Sequence, residues 1–165
     1  MSALQGSAEQ DVRGTLAQRL ALGVPLILLG GAYLSQYGFG LFPCEMCWWQ
    51  RYPHFAAVAL ALVSFVARPR ELWVALAGLA ILTSGIIGVY HAGVEYGFWE
   101  GLTACTSSVT SGGGDALEAI MRAPLVRCDV APWTFAGVSL AGFNAAISIS
   151  AAVAILVLVL KGKRA

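Results

Sequence analysis

Charged residues are scarce in this chain, and their scarcity limits the kind of protein it can be. Only 12% of the 165 residues are charged and 58% are apolar, whereas soluble domains average about 25% charged residues. The formal net charge is +1, and no basic patch is interleaved with aromatic residues, so nucleic-acid binding has no support. A mean hydropathy of +0.74 instead indicates a membrane protein. The length predicts a single domain over residues 1–165.

Two common redox motifs are missing as well. The sequence contains no G-x-G-x-x-G nucleotide fingerprint and no C-x-x-C-H haem-attachment site. It also has no repeat at the period of a solenoid protein. Neither a bound dinucleotide nor an attached haem is therefore expected to carry electrons in this protein.

The chain contains four long apolar segments. A spanning helix needs about 20 apolar residues, and the runs at about 20–37, 52–67, 72–94 and 135–160 meet or approach that length. Because backbone groups cannot stay unpaired in lipid, these runs predict an all-α integral membrane protein, a bundle of four transmembrane helices. The first run is longer than a typical signal-peptide core and Ser35–Tyr37 is a poor cleavage site, so we expect a retained helix rather than a cleavable signal.

The distribution of lysine and arginine sets the predicted orientation. With four spans, seven of the ten basic residues share one side with both termini, and three lie on the other. The seven are Arg13, Arg19, Arg68, Arg70, Lys161, Lys163 and Arg164, and the three are Arg51, Arg122 and Arg127. The positive-inside rule therefore predicts cytoplasmic termini. The loops at about 38–51 and 95–134 then face outward, which in a Gram-negative bacterium means the periplasm.

All four cysteines lie in these two outward loops. Cys44 and Cys47 form a C-x-x-C in the first loop, and Cys105 and Cys128 lie in the second. Charge alone set the orientation, yet it places every thiol on the oxidising side of the membrane. A C-x-x-C closes a ring too small to remove much entropy from the unfolded chain, so redox exchange explains this spacing better than stabilisation does.

Three other interpretations of the cysteines stay open. The protein could be a non-catalytic membrane scaffold with two structural disulfides. The four sulfurs could bind zinc, but Cys105 and Cys128 are 23 residues apart, unlike the close second pair of most structural zinc sites, so we predict no metal. The protein could also carry reductant outward, which would need thiols facing the cytoplasm or at mid-membrane, where the predicted topology has none.

A thiol pair at the lipid interface needs an electron acceptor, and a lipid-soluble quinone suits that position. Arg51 follows Cys47 by four residues, one turn along the same helix face, where its guanidinium can stabilise a thiolate or a quinone oxygen. Trp48 beside the motif and His91 near the outer end of the third span are further candidates for quinone contacts. The alternatives are a snorkelling arginine, an aromatic-belt tryptophan and an interfacial histidine.

The remaining polar and small residues of the spans receive structural predictions. We expect His54 to have a packing or interfacial role, and Glu95 and Glu100 to be solvated loop charges. Asn144 and Ser148, one turn apart, are expected to hydrogen-bond across the bundle. Two stripes of small residues predict close helix packing, namely Gly85, Gly88 and Ala92 in the third span and Gly137, Ala141 and Ala145 in the fourth.

Several segments together resemble the disulfide bond formation protein B (DsbB) family. The resemblance extends over about residues 20–160 and keeps the four-span layout. The segments are Pro43–Pro53 (PCEMCWWQRYP), Tyr90–Glu95, Phe98–Gly101, Ala104-Cys105, Cys128, and Pro132-Trp133 followed by Asn144. A C-x-x-C-x-x-x-R run beside a span, with a second cysteine pair in the next loop, is a specific combination.

The resemblance implies a thiol:quinone oxidoreductase of the bacterial inner membrane. In such a protein, a reduced DsbA-like protein of the thioredoxin fold forms a mixed disulfide with Cys105, and Cys128 then attacks Cys44. Cys47 is released as a thiolate beside the bound ubiquinone or menaquinone, close to Arg51. All four cysteines are therefore predicted to be catalytic. The resemblance also implies a short helix on the membrane surface, which would fall at about Asp115–Arg122.

Overall fold

The structure, a computed structural model, describes residues 2–101 and 126–163. Cys105 and the predicted surface helix at Asp115–Arg122 lie outside the described residues. Four α-helices and one short hairpin are present in the part of the chain that is described. These elements are α1 (Ser2–Gly38), α2 (Glu45–Val63), α3 (Arg70–Glu95), β1 (Thr134–Phe135), β2 (Val138–Ser139) and α4 (Leu140–Lys163).

Three of these helices are long and apolar enough to cross a membrane. The qualifying segments are Gln10–Gly38, Arg70–Glu95 and Leu140–Gly162. The 19-residue α2 is not among them. The helical membrane architecture is thus confirmed in its main part, and the crossing of the bilayer by α2, which would bring the count to four, stays a prediction.

Helix ends differ from the predicted spans where polar groups or turns intervene. The second span was expected to reach residue 67, but α2 ends at Val63. Ser64 caps this end, since its hydroxyl donates to the Ala61 carbonyl at 2.6 Å and accepts from Gln18 Nε2 at 2.9 Å. At the other end of the chain, α4 begins at Leu140 rather than at residue 135, because the preceding six residues form the hairpin.

The hairpin is hydrogen-bonded to the C-terminal end of α3. Its turn residues Ala136 and Gly137 have φ values of 51° and 77°, and the glycine adopts this left-handed conformation without steric cost. The Tyr96 hydroxyl donates to the Gly137 carbonyl at 2.9 Å and accepts from the Ser139 backbone N–H at 2.9 Å. Gly137, which was predicted to belong to the small-residue stripe of the fourth helix, therefore lies in a turn.

The interior is rich in small and polar residues, and many of the large apolar residues face outward. Ile27 is 75% exposed and Leu34 62% exposed, while His54 and His91 are 3% and 2% exposed. A bundle surrounded by lipid needs this distribution, because apolar surface is at no disadvantage there and polar groups must find partners inside. The buried cluster between the helices is largely alanine, namely Ala17, Ala21, Ala57, Ala61, Ala77 and Ala152 with Val74, Ile81, Ile155 and Val159.

The predicted close approach of the third and fourth helices is confirmed at the glycines of α3. A Cβ placed on Gly88 would lie 3.1 Å from the Ala141 carbonyl oxygen and 3.1 Å from the Ala145 backbone nitrogen. A Cβ on Gly85 would lie 2.8 Å from a side-chain carbon of Ile149. The backbone of α4 therefore occupies the space that larger residues would need.

Gly88→Val is expected to destabilise the bundle, because its side chain would meet the backbone of α4 rather than a movable side chain. The cost should be about 1–3 kcal/mol, the range for overpacking a close contact. Thermal unfolding in detergent would measure it. Gly23→Val is the matched control, since nothing lies within 4 Å of a Cβ at that helical glycine. Equal unfolding temperatures for the two variants would contradict this packing.

Candidate active site

The C-x-x-C motif sits at the start of α2, with its two sulfurs in contact. Cys44 is the N-cap residue, and its side chain accepts a hydrogen bond from the Cys47 backbone N–H at 3.3 Å. The Cys44 and Cys47 Sγ atoms are 3.1 Å apart. Because Cys47 lies in the first helical turn, the helix dipole favours negative charge on its sulfur.

A cysteine from the second loop joins this pair. The Cys128 Sγ, the Cys44 Sγ and a His91 ring nitrogen all lie within 4.8 Å of one another, and all three residues are buried. Two thiol sulfurs and an imidazole nitrogen are also ligands that zinc accepts, at about 2.0–2.3 Å from the ion. Metal analysis of the purified protein tests that alternative. The structure thus brings together the three cysteines that it describes.

The hydrogen bonds around His91 define its tautomer. Gln50 Nε2 donates to the Met46 carbonyl at 3.2 Å and lies 2.7 Å from His91 Nδ1. Because a side-chain amide nitrogen can only donate, His91 Nδ1 is the acceptor and the neutral ring carries its proton on Nε2. That nitrogen is 3.5 Å from the Cys44 Sγ and 3.7 Å from the Glu95 Oε1. His91 therefore directs an N–H group at the Cys44 sulfur and the Glu95 carboxylate.

Glu95 is not the solvated loop charge that the sequence led us to expect. It is the last residue of α3, and its side chain is only 2% exposed. Its Oε2 atom is buried and has no hydrogen-bond partner among the described residues. The helix turns this carboxylate inward, one turn after His91, so that it adds negative charge to the thiol cluster.

The hydrogen bond between the Cys44 and Cys47 sulfurs gives these two thiols different pKa values. The bond to Cys47, together with burial, raises the pKa of Cys44 well above its usual value. The same bond lowers the pKa of Cys47, because Cys44 keeps its proton and donates it to a Cys47 thiolate. Cys47 is therefore the member of the pair that ionises first.

Glu95→Gln should make Cys47 still more acidic, because the negative charge of Glu95 raises the pKa of this thiol. In the reduced protein, alkylation of Cys47 by iodoacetamide should then persist to lower pH than in the unsubstituted protein. Mass spectrometry of the Cys47 peptide across a pH series would show the shift. Glu100→Gln removes an exposed carboxylate from the segment after α3 and is the matched control. Identical pH profiles for both variants would count against a charged Glu95 beside the thiols.

A cavity of about 350 Å³ opens directly below the motif. It lies between α1, α2 and α4, and its walls are mainly apolar side chains, such as Ile27, Leu28 and Phe143. Cys47 and Arg51 line it on the α2 side. The volume falls in the range of small-molecule sites, which combine apolar walls with a few polar groups.

Arg51 is held in place by α1. Its Nη1 donates to Gln36 Oε1 at 2.7 Å, and its Nη2 donates to the Ala32 carbonyl at 3.1 Å. The guanidinium carbon lies 5.0 Å from the ring centre of Tyr33 and 4.9 Å from that of Trp48, within the distance of a cation–π interaction. These bonds to described residues use two of its five N–H groups, and a ligand in the cavity can be offered others.

Trp48 and His91, the other two candidates for quinone contacts, do not line this cavity. Trp48 packs on Arg51 and is not among the residues that line the cavity. His91 borders a second cavity, of about 300 Å³, which it shares with Phe42, Cys44 and Val126. The structure thus places Trp48 behind the arginine and His91 on the side of the thiols.

The sequence does not predict the role of Gln50, and for Asn144 it predicts a hydrogen bond across the bundle without naming the partner. Gln50 was given no role, yet it joins His91 to Asn144, whose Nδ2 donates to Gln50 Oε1 at 2.8 Å. The expectation that Asn144 bonds across the bundle is confirmed, and Ser148 donates to its Oδ1 at 3.0 Å. The available signal is Asn144, an amide side chain within the fourth predicted span, where polar residues need partners from other helices.

The described part of the chain therefore has the form of a helical membrane protein with a thiol cluster above an apolar cavity. A family model described as "Disulfide bond formation protein DsbB" matches residues 15–158, and the chain belongs to this family. This confirms the resemblance seen in the sequence. The protein is thus a membrane protein of a family involved in disulfide bond formation.

Individual relatives agree with this assignment at low identity. A "Disulfide bond formation protein B" of Polaromonas sp. (strain JS666 / ATCC BAA-500) is 30% identical over 151 residues, covering 85% of this chain and 86% of the relative. The protein of the same name from Marinobacter nauticus is 26% identical, covering 72% and 75%. An uncharacterized protein of Rickettsia prowazekii is 25% identical, covering 76% of each chain. No solved structure matches.

Proposed function

We propose that this protein is a thiol:quinone oxidoreductase that generates disulfides. It reoxidises a DsbA-like periplasmic protein of the thioredoxin fold and passes the electrons to ubiquinone or menaquinone in the inner membrane. Its active site faces the periplasm. One observation carries the proposal: Cys47 belongs both to the sulfur cluster and to the wall of the apolar cavity. Electrons collected by the thiols can therefore leave towards the lipid phase.

The cysteine cluster supports the order of thiol exchange that the family implies. A thiolate of the reduced donor attacks a Cys105–Cys128 disulfide, forms a mixed disulfide with Cys105 and releases Cys128 as a thiolate. Cys128 then attacks the Cys44 sulfur of a Cys44–Cys47 disulfide, and Cys47 leaves as a thiolate. The Cys128 and Cys44 sulfurs lie within 4.8 Å, so a small movement suffices for this attack. Each exchange breaks one sulfur–sulfur bond and forms another. Two electrons thereby pass from the donor protein to the C-x-x-C motif.

Two features of the chain keep negative charge on the appropriate sulfurs. Cys47 has the lower pKa of the pair and sits at the N-terminus of α2, so it is a good leaving group and a good electron donor. His91 Nε2 faces the Cys44 sulfur at 3.5 Å. Its N–H group stabilises the charge that develops on Cys44 when its bond to Cys47 or Cys128 breaks. We therefore assign His91 to the thiol exchange rather than to the quinone.

The cavity fits a quinone ring in its chemistry. Its walls are apolar, and its polar groups are concentrated on α2, with Arg51 beside Cys47. A bound quinone supplies an acceptor for two electrons and two protons. The N–H groups of Arg51 that are not directed to Gln36 and Ala32 can hydrogen-bond a ring oxygen. Because α1 and the rings of Tyr33 and Trp48 hold the guanidinium, little ordering is needed when the ligand binds.

The direct test is anaerobic turnover by the purified protein, with a reduced DsbA-like protein as electron donor. Ubiquinone-1 and a short-chain menaquinone would be offered separately. The proposal predicts one quinol for every donor disulfide formed. Oxidation of the donor without quinol would indicate another acceptor. If the donor is not oxidised at all, the cysteines form structural disulfides in a membrane scaffold, and the proposed function is wrong.

A further inference from the structure

His54 is a buried histidine on the cavity side of α2 that the thiol chemistry does not use. It lies three residues after Arg51, one turn deeper into the bundle, and lines the same cavity. Only 3% of its surface is exposed. Its Nε2 atom is 2.9 Å from the Ser84 hydroxyl and 3.0 Å from Asn144 Oδ1. One edge of the ring is therefore fixed by α3 and α4.

Backbone carbonyls define the direction of these hydrogen bonds. Gln50 Nε2 donates to the Met46 carbonyl, so its Oε1 accepts from Asn144 Nδ2 at 2.8 Å. Asn144 Nδ2 also faces the Ser84 carbonyl at 3.3 Å. The amide of Asn144 therefore presents its oxygen to His54. Because an amide oxygen can only accept a hydrogen bond, the Nε2 atom of His54 must carry the proton and donate. The neutral His54 ring consequently has no proton on Nδ1.

The Nδ1 atom of His54 is a buried acceptor without a donor. It makes no hydrogen bond to any described residue. Buried polar groups in native proteins are almost always satisfied, and an orphaned one calls for a ligand, a water or an ion. His54 borders the cavity through which a ligand would enter, so the missing donor is expected there.

We infer that His54 Nδ1 accepts a hydrogen bond from a ring hydroxyl of a quinol bound in this cavity. The inference rests on the proposed function. A quinone carbonyl carries no proton and cannot make this bond, so the contact exists only with the reduced form. The site therefore binds quinol more tightly than quinone, and the midpoint potential of the bound couple rises. A tenfold preference corresponds to about 30 mV for a two-electron couple.

This preference would assist the thiol chemistry. A bound quinone of higher potential is a stronger oxidant for the Cys44–Cys47 dithiol, so the equilibrium moves towards the disulfide. His54 acts here as a binding residue that favours one redox form, while Arg51 contacts the ring next to Cys47. The two residues would hold the ring between them along one face of α2.

Two substitutions separate this role from a structural one. In His54→Gln the amide can replace Nε2 and keep the bonds to Ser84 and Asn144, but it has no equivalent of Nδ1. In His54→Asn the shorter amide replaces Nδ1 and gives up the bonds of Nε2. Affinity for ubiquinol-1 would be measured on reduced protein and for ubiquinone-1 on oxidised protein, by quenching of tryptophan fluorescence. Oxidation of one equivalent of donor confirms that each variant is folded.

His54→Gln should weaken ubiquinol-1 binding about tenfold, the effect of losing one hydrogen bond to a buried partner. Its affinity for ubiquinone-1 should stay within about twofold, and His54→Asn should keep most of the affinity for ubiquinol-1. The inference is overturned if His54→Gln binds ubiquinol-1 normally, if it weakens both forms equally, or if His54→Asn is the more damaging change. If the unsubstituted protein binds neither form, the proposed function itself fails.

Discussion

Replacing Cys47 with serine is expected to abolish quinone reduction while leaving the outer thiol exchange intact. Cys47 is the only described cysteine that lines the cavity, and its sulfur touches Cys44 at 3.1 Å. Without it, the inner disulfide cannot form and electrons stop at the second loop. The loss of turnover should be at least about a thousandfold, as for removal of other catalytic nucleophiles.

The same variant contains its own control. If Cys105 and Cys128 form a disulfide, Cys47→Ser should still oxidise one equivalent of the reduced DsbA-like donor, as measured by alkylation and gel shift. If one equivalent of donor is oxidised and no quinol forms, electron transfer stops between the second-loop cysteines and the C-x-x-C motif. Sustained quinol formation by Cys47→Ser would show that electrons leave the protein by another route.

Arg51→Gln is expected to lower kcat/KM for quinone about 100-fold, the scale for losing a preorganised donor at a developing negative charge. The guanidinium is fixed by Gln36 and Ala32 of α1 and is placed beside Cys47 in the cavity wall. Steady-state kinetics with varied ubiquinone-1 would measure the effect. Exchange between the donor and the second-loop cysteines should be unchanged, because Arg51 lines the cavity whereas Cys128 lies with Cys44 and His91.

Arg51→Lys distinguishes charge from geometry at this position. Lysine keeps the positive charge but lacks the planar set of donors and the flat surface that packs on Tyr33 and Trp48. We expect it to recover only part of the activity. If Arg51→Gln reduces quinone within about threefold of the unsubstituted rate, the arginine is a snorkelling residue and makes no catalytic contact.

The membrane fold could be predicted because its signal is long and local. Runs of about 20 apolar residues predicted α1, α3 and α4, and only the ends were displaced. The displaced ends depend on single polar side chains, such as Ser64 capping α2, which apolar runs do not reveal. The hairpin before α4 could not be predicted either, because a strand of two residues has no periodicity.

The candidate site was predictable only where its residues are close in sequence. Cys47 and Arg51 were predicted from their spacing in one helix, and the structure places both on the cavity. The bond between Gln50 and Asn144, 94 residues apart, depends on how α2 and α4 pack. The burial of Glu95 depends on which way the last turn of α3 faces. Such contacts arise from tertiary packing, and no local pattern encodes them.

The central claim is that electrons leave Cys47 through the cavity between α1, α2 and α4. Gly31 lines this cavity, and nothing lies within 4 Å of a Cβ placed there. We therefore expect the side chain of Gly31→Trp to begin in open space and to occupy part of the cavity. Gly30→Trp is the matched control, since that neighbouring glycine is equally open and is not part of the lining.

The measurement is quinol formation by these two variants with a reduced DsbA-like donor. The account predicts that Gly31→Trp loses about 100-fold or more of its quinone reduction, as expected when a ligand site is filled, while it still oxidises the donor stoichiometrically. Gly30→Trp should turn over at the unsubstituted rate. If Gly31→Trp reduces quinone as fast as Gly30→Trp, the quinone binds elsewhere and the role assigned to this cavity is wrong.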